Sequence, residues 1–429
     1  MRRRSGHAIV ASLLLFNFVA TGCQEEKPFG EKSRAELSVM YGDERSFEAD
    51  YGRAFRAKYP NVEFRVVPIS SEPDDWPDIV LSGLSDYERR AADGTIASLE
   101  PLIRRDRYDL ANVAPSVLRL LRGYGAGELY GLAPVFSARA LYYNEDLFKE
   151  KGVAPPADRM TWPEVLRLAE RFPVQGDDDD DIYGLTLPSS SSLGSLLTDI
   201  GQSEGLTLID PVGQALLFDS PKWGETADLM LRAFKSGTVR ISGEPVGRTP
   251  DEMLRSHLFA AGRSAMAVQD ESLLALLSSG VISVPFTYSI VAAPVSSQDR
   301  NVAFGQSLNV IFSIHSASRA KDAAWEFIKF AAGDERARRE SRSGSALVAR
   351  TPYQYEREER YEAFYALDAN PDLRPLSELN PEAQAALMRL LDEGLNSVLE
   401  ERQTWEEAVA QMKEKAEPVL KEAFREKTN

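Results

Sequence analysis

From Glu36 onward the chain alternates between two hydrophobic periods, and no other feature restricts its fold so much. Residues 36–40 alternate as a strand does; Phe47, Tyr51, Ala54 and Phe55 then recur at helical spacing until Pro60, whose ring cannot continue a helix. Residues 62–69 predict a second strand. Asp78-Ile79-Val80-Leu81 predicts a short buried one closed by Ser82-Gly83, and residues 87–92 predict a further helix. Strand, helix, strand, helix builds α/β layers. Two later stretches, Thr161-Trp162-Pro163-Glu164 and Thr404-Trp405-Glu406-Glu407, have the form of capping boxes and predict helix starts. Asn380-Pro381 opens another helix with Ala383, Ala386, Leu387, Leu390 and Leu391 on one face. The C-terminal third is therefore expected to be mainly helical, with its last helix kinked or divided at Pro418. A length of 429 residues corresponds to two or three domains at roughly 150 residues each.

Acidic residues outnumber basic ones, 66 to 50, so the surface repels phosphate backbones and no nucleic-acid partner is expected. One Cys and three His can form neither a Cys/His zinc cluster nor an intrachain disulfide. Metal chemistry would have to be all-oxygen, and no metal or cofactor is expected. The aspartate run 177–181 supplies oxygens, but adjacent carboxylates point in different directions, and the alternating spacing of a calcium loop with its distant Glu is missing. A solvated loop is the reading there. His257 and His315 have no second His nearby and read as surface or capping residues.

The N-terminus accounts for the lone Cys. Arg2, Arg3 and Arg4 precede an apolar run over residues 8–20, interrupted by Ser12 and Asn17 and closed by Ala20-Thr21-Gly22-Cys23. The run is shorter than the roughly 20 residues a membrane span needs, and its flanks are those of a signal peptide. This end resembles the lipobox of bacterial lipoproteins. The resemblance implies that residues 1–22 are removed, that Cys23 carries a diacylglyceryl group, and that residues 23–34 form a lipid-anchored tether. The protein would then sit outside the cytoplasm, on the outer face of the cytoplasmic membrane, since each buried CH₂ of the acyl chains contributes about 0.8 kcal/mol. Ala20 stands where that motif usually has Leu, so plain secretion with a nearby cut remains open.

Several further segments, in order, resemble the extracellular solute-binding proteins of bacterial ABC importers, in particular the large sugar-binding group. They are Phe55-Arg56-Ala57-Lys58-Tyr59-Pro60-Asn61-Val62, Pro77-Asp78-Ile79-Val80, Leu129-Tyr130-Gly131-Leu132-Ala133-Pro134 and, most specifically, Leu141-Tyr142-Tyr143-Asn144-Glu145-Asp146-Leu147-Phe148. Thr161-Trp162-Pro163-Glu164, Phe259-Ala260-Ala261-Gly262-Arg263-Ser264-Ala265-Met266 and Ala323-Ala324-Trp325-Glu326-Phe327-Ile328-Lys329-Phe330 follow at fitting intervals. The resemblance implies a two-lobed α/β fold of the periplasmic-binding-protein type (type II), with hinged lobes, a ligand cleft between them and a helical C-terminal region. Lobe 1 would take residues 35–134 plus 294–333, and lobe 2 residues 135–293 plus 334–429.

It also implies where a ligand would lie. Strand ends and loop tips converge on the cleft of such sheets. Tyr41, Ser82, Ser85, Phe136 and Ser137 occupy family-equivalent pocket positions on the first lobe and first crossing. Ser189, Ser190, Asp270, Glu271 and Gln306 do so on the second lobe and the return strand. Planar polar groups and aromatic faces hold sugars, but this set offers only Tyr41 and Phe136 as aromatics, and Ser stands at three positions where the family often has a larger residue. Carbohydrate is the leading ligand class on these grounds. Trp76 is a rim platform or a residue packed beside Pro77, while Trp162, Trp325 and Trp405 read as helix packing.

The implied function is a monomeric receptor that binds a small solute, closes on it, and hands it to the transmembrane subunits of an importer without chemical change. Two other readings stay open: a secreted carbohydrate hydrolase and a solute sensor for a membrane receptor. Ser318-Arg319-Ala320-Lys321 matches the S-x-x-K of serine acyltransferases, but the companion S-D-N and K-T-G motifs are absent, and Ser318 reads as an N-cap. Any two of the carboxylates could serve a glycosidase.

Overall fold

In the computed structural model the described residues are 29–426 apart from 71–72, 74, 174–180, 211, 213, 243–248, 281, 344–345, 352, 354–357, 372–375 and 377–378. The expected signal peptide, Cys23, half of the tether and four of the five aspartates of the 177–181 run lie outside them.

The chain lays down β1 (Ala35–Met40), β2 (Val62–Val67), β3 (Ile79–Ser82) and β4 (Gly131–Leu132). It then makes β5 (Arg139–Asn144), β6 (Tyr183–Leu187), β7 (Val239–Ile241), β8 (Ser264–Asp270) and β9 (Tyr288–Ala292), and returns for β10 (Ile311–Ile314). Two separate five-stranded sheets result, in the orders β2-β1-β3-β10-β4 and β7-β6-β8-β5-β9. In the first, β1 pairs parallel with β2 and β3, whereas β10 is antiparallel to β3. In the second, β6, β7 and β8 run parallel and β5 is antiparallel to β8 and β9. Strands β3 and β10 are buried throughout, as strands covered on both faces must be, and their sequences are accordingly near-continuous apolar runs.

Local signals explain the helices. After β1, Asp43 accepts from the Ser46 backbone N–H at 2.9 Å and starts a helical stretch that takes one π turn at Glu48–Gly52 and ends at Lys58, ahead of Pro60. It buries Phe47, Tyr51 and Phe55, the residues whose spacing announced it. The Thr161 and Thr404 boxes both form. Asn380 accepts from Ala383 N–H at 2.8 Å and opens the Pro381–Leu399 helix. The Trp405–Glu426 helix runs through Pro418 without dividing. Pro costs it one donor, and the burial of Ala416 and Leu420 on either side holds the helix together. Ser318 stands two residues before Ala320, the residue that precedes the Lys321–Ala331 helix; its hydroxyl accepts from Ala320 N–H at 3.1 Å, as a cap does, and donates to Asp78 at 2.6 Å.

Two buried clusters form the core, and the first continues from the first sheet through Ala140, Tyr142, Ala267 and Leu274 onto one face of the second sheet. Phe47, Phe55, Phe312, Trp325 and Phe327 anchor the first cluster, and Trp162, Leu197, Trp223, Leu387 and Leu420 the second. Leu347, Ala349, Tyr361, Phe364 and Ala369 pack into the first cluster at the junction, where Phe364 meets Tyr142 of β5, and the chain joins the second cluster from Leu379 onward. Among the described residues no helix is long and apolar enough to cross a membrane.

Candidate functional site

The chain passes between the sheets three times, and the passes are tied to one another. Ser137 and Ser307 exchange backbone hydrogen bonds at 3.0 and 2.9 Å. Phe136 pairs with Leu347 in one two-residue ladder, and Val302-Ala303 pairs with Asp368-Ala369 in another. Against this junction lie the carboxyl ends of the parallel strands. Asp270, the last residue of β8, is opposite Arg139, the first of β5. The β6–β8 register pairs Tyr183 with Ser264 and Leu185 with Met266, and Ser189 follows on the turn after β6. On the first-sheet side, Gly83, Leu84, Ser85, Asp86, Ser307, Leu308 and Asn309 line a cavity of about 340 Å³.

The ten residues anticipated from the sequence divide by what already engages them. Ser85, Ser137, Asp270, Glu271 and Gln306 gather around the junction. Ser190 is exposed and Ser189 half-buried on the turn after β6. The remaining three are occupied within the fold. Tyr41 donates to Asp50 Oδ2 at 2.7 Å, and burial followed by that acceptor pushes its phenol pKa up. Ser82 is 3% exposed and accepts from the buried Arg90 at 2.8 Å. Phe136 is buried and meets Tyr365 edge-on.

Asp270 caps the Glu271–Ser278 helix, accepting from Ser272 N–H at 3.0 Å. Glu271, 6% exposed, accepts through Oε2 from the Ser137 hydroxyl at 2.9 Å and from Ala138 N–H at 3.2 Å. Burial raises its pKa to about 7 against the pull of these donors. Gln306 donates to Leu367 O at 3.2 Å, and its Oε1 is buried without a partner among the described residues. A buried open acceptor of that kind suits a water or a ligand hydroxyl.

Two functional candidates escaped the sequence reading. Arg139 donates to Asp199 Oδ2 at 3.0 Å, and both side chains stay partly exposed. Burial pushes the Asp199 pKa up despite the guanidinium. Gly305, at φ +86°, passes beside them: a Cβ there would lie 3.4 Å from Arg139 Cδ. The available signal was an Arg between Ala138 and Ala140 and an Asp within Leu196-Leu197-Thr198-Asp199-Ile200, charges set into otherwise apolar patterns. Trp76 stacks on His315 with Arg90 over its ring, an arrangement internal to the first sheet's edge. His257 is buried and accepts from Ala260 N–H at 3.4 Å. Among the described residues no group of three or more His, Cys, Asp or Glu is placed to hold a metal ion.

Residues 42–337 match the family of bacterial extracellular solute-binding proteins, and the chain belongs to that family. A stretch of 178 residues is 26% identical to the arabinooligosaccharide-binding protein of Bacillus subtilis, covering 37% of this chain and 40% of that relative's length. The fold is similar to that of a sugar transporter from Rhizobium etli in an open conformation (TM-score 0.63, 22% identity, 89% of this chain and 99% of the other). It is similar also to the sugar-binding protein MalE from Xanthomonas citri (TM-score 0.66, 17% identity, 90% and 98%). The architecture is thus the two-lobed periplasmic-binding-protein type.

Proposed function

We propose that this chain is the solute receptor of an ABC importer, that its ligand is a carbohydrate, and that the ligand is held between the lobes and released intact to the membrane subunits. The observation that carries this reading is the junction itself. Two independent sheets are joined by three tied passes, and short polar groups from both sides, Ser85, Ser137, Asp270 and Gln306, are gathered beside it. Such groups satisfy hydroxyls and perform no covalent step by themselves. The Bacillus subtilis relative, named for arabinooligosaccharides, supports the ligand class. We assign the lobes as residues 35–134 with 294–333 and residues 135–293 with 334–429. Cys23 is the proposed lipid anchor, which places the receptor outside the cytoplasm on the membrane surface.

Thermal unfolding of the full chain in a panel of neutral oligosaccharides, peptides and anions tests the reading. A solute at 100 times its dissociation constant stabilises by about 2.7 kcal/mol. A stabilising oligosaccharide recovered unaltered after prolonged incubation is expected. Stabilisation by peptides alone, or recovery of shortened sugars, would replace the reading with a peptide receptor or a hydrolase.

A further inference from the structure

The strand leaving the first crossing is gripped from opposite faces at three consecutive residues. Glu271 Oε2 accepts from the Ser137 hydroxyl at 2.9 Å and from Ala138 N–H at 3.2 Å, while Asp199 Oδ2 accepts from Arg139 at 3.0 Å. Strand alternation places Arg139 with Leu141 on the second-core face, where the Leu193–Ser203 helix carrying Asp199 packs. Ala138, Ala140 and Tyr142 face the other way, toward the Glu271–Ser278 helix. Both carboxylates are thus carried by helices packed on the second sheet, on its two sides. We propose that Glu271 and Asp199 are positioning residues that clamp residues 137–139 to the second lobe, so that bending in the first crossing is confined to residues 133–136.

The physical case rests on contrast. Residues 137–139 make three side-chain ties, two of them to a buried carboxyl and one a charge-assisted pair, and such bonds are the strong ones. Residues 133–136 make no side-chain hydrogen bond among the described residues: backbone ties to 347–349, a two-residue ladder and Ala349 N–H donating to Pro134 O at 2.9 Å, and apolar packing hold them. A clamped strand presents Ser137 and Asp270 in fixed positions before any solute arrives, and preorganisation of that kind raises affinity by lowering the ordering cost of binding. This inference rests on the two-lobe receptor reading.

The test uses the full chain with Cys23→Ser, spin-labelled at Ala57→Cys and Arg232→Cys, exposed positions on helices of the first and second lobe. Distances are measured by double electron–electron resonance without solute, and arabinotriose is the binding probe. Glu271→Ala is expected to widen the solute-free distance distribution and to weaken arabinotriose binding about tenfold, the order of effect of losing its hydrogen bonds to Ser137 and Ala138. Glu271→Gln, which keeps an acceptor, should restore the narrow distribution. A residue that only stabilised the fold would lower the melting temperature and leave the distance width unchanged, and that result overturns the clamp. Should Glu271→Ala fail to fold, Ser137→Ala combined with Asp199→Asn decides by the same width. If the parent protein binds no arabinotriose, the ligand class is in question, yet the solute-free distances still judge the clamp.

Discussion

Raising the pH from 4 to 8 should remove stability through a single carboxyl. Glu271 is buried beside Ser137 and Ala138, with Asp270 next to it in the chain and Tyr142 on the neighbouring strand. Burial lifts its pKa from an ordinary 4.5 to about 7. In the unfolded chain the proton leaves near 4.5; in the folded protein it is kept to about 7. Between those values the native state binds more protons than the unfolded state, so stability falls as pH rises. The full contribution is present below 4.5 and is gone above about 7. A shift of about 2.5 units at 1.36 kcal/mol each amounts to about 3 kcal/mol. Glu271→Gln keeps an acceptor for Ser137 and Ala138 and has no proton to lose. Urea unfolding of the parent and of Glu271→Gln at pH 4, 5, 6, 7 and 8 gives a difference from which every other titrating group cancels. That difference should move by about 3 kcal/mol against the parent, most of it between pH 4.5 and 7. A difference that stays flat across the range would refute the burial argument, and would mean that water or backbone donors hold the carboxylate ionised.

Other substitutions probe the frame and the anchor. Asp106 is half-buried yet accepts from Trp325 Nε1 at 2.9 Å, Lys329 at 2.7 Å and Arg105 at 2.8 Å. Burial would raise its pKa, but these donors outweigh it and hold the carboxyl well below the usual range. Asp106→Ala should cost about 1–3 kcal/mol by denaturant titration, since it strands the Trp325 indole N–H, while Lys329 keeps Glu326 at 2.7 Å. Gly201→Ala places a methyl into the Trp223 ring at the centre of the second core and should cost about 1–3 kcal/mol in the same assay. Cys23→Ser should move the protein from the membrane fraction to the soluble fraction on cell fractionation. A parent already in the soluble fraction would remove the lipid anchor and favour plain secretion, and a variant that stays with the membrane would point to an uncleaved apolar segment.

The sequence disclosed most where a signal is local. Pro60, the Thr161 and Thr404 boxes and the Asn380-Pro381 start each act within four residues, and each appears in the structure as expected. Strand ends were legible for the same reason, and five of the ten proposed pocket residues do gather at the junction. What a side chain does once there was not legible. Ser82 looked free at the end of an apolar run, but Arg90, eight residues on, folds back to donate to it. Tyr41 is engaged by Asp50 across a π turn that no periodicity announces. Glu271 and Ser137 are 134 positions apart, and only the antiparallel register of β5 on β8 brings them together.

The junction also bears on how the two sheets can move while each keeps its ladders. Each sheet is five strands wide and backed by buried aromatics, so bending within either would break ladders and open voids that cost several kcal/mol. The ties between passes are short, two residues in each ladder and a single bridge at Ser137–Ser307, and can twist while keeping their hydrogen bonds. Motion is therefore concentrated where least has to be broken. A solute gains closure only through the contacts it adds in the closed state. Moving the lobes from 1:99 to 99:1 takes about 5.5 kcal/mol of differential binding, which a few neutral hydrogen bonds at about 1 kcal/mol each do not reach. A ligand with many hydroxyls, touching both lobes at once, meets that requirement where a monohydric or one-sided solute does not. Affinity in an oligosaccharide series should accordingly rise with chain length until the cleft is filled and then level off, and a series flat from the monosaccharide upward would show that only one lobe holds the solute.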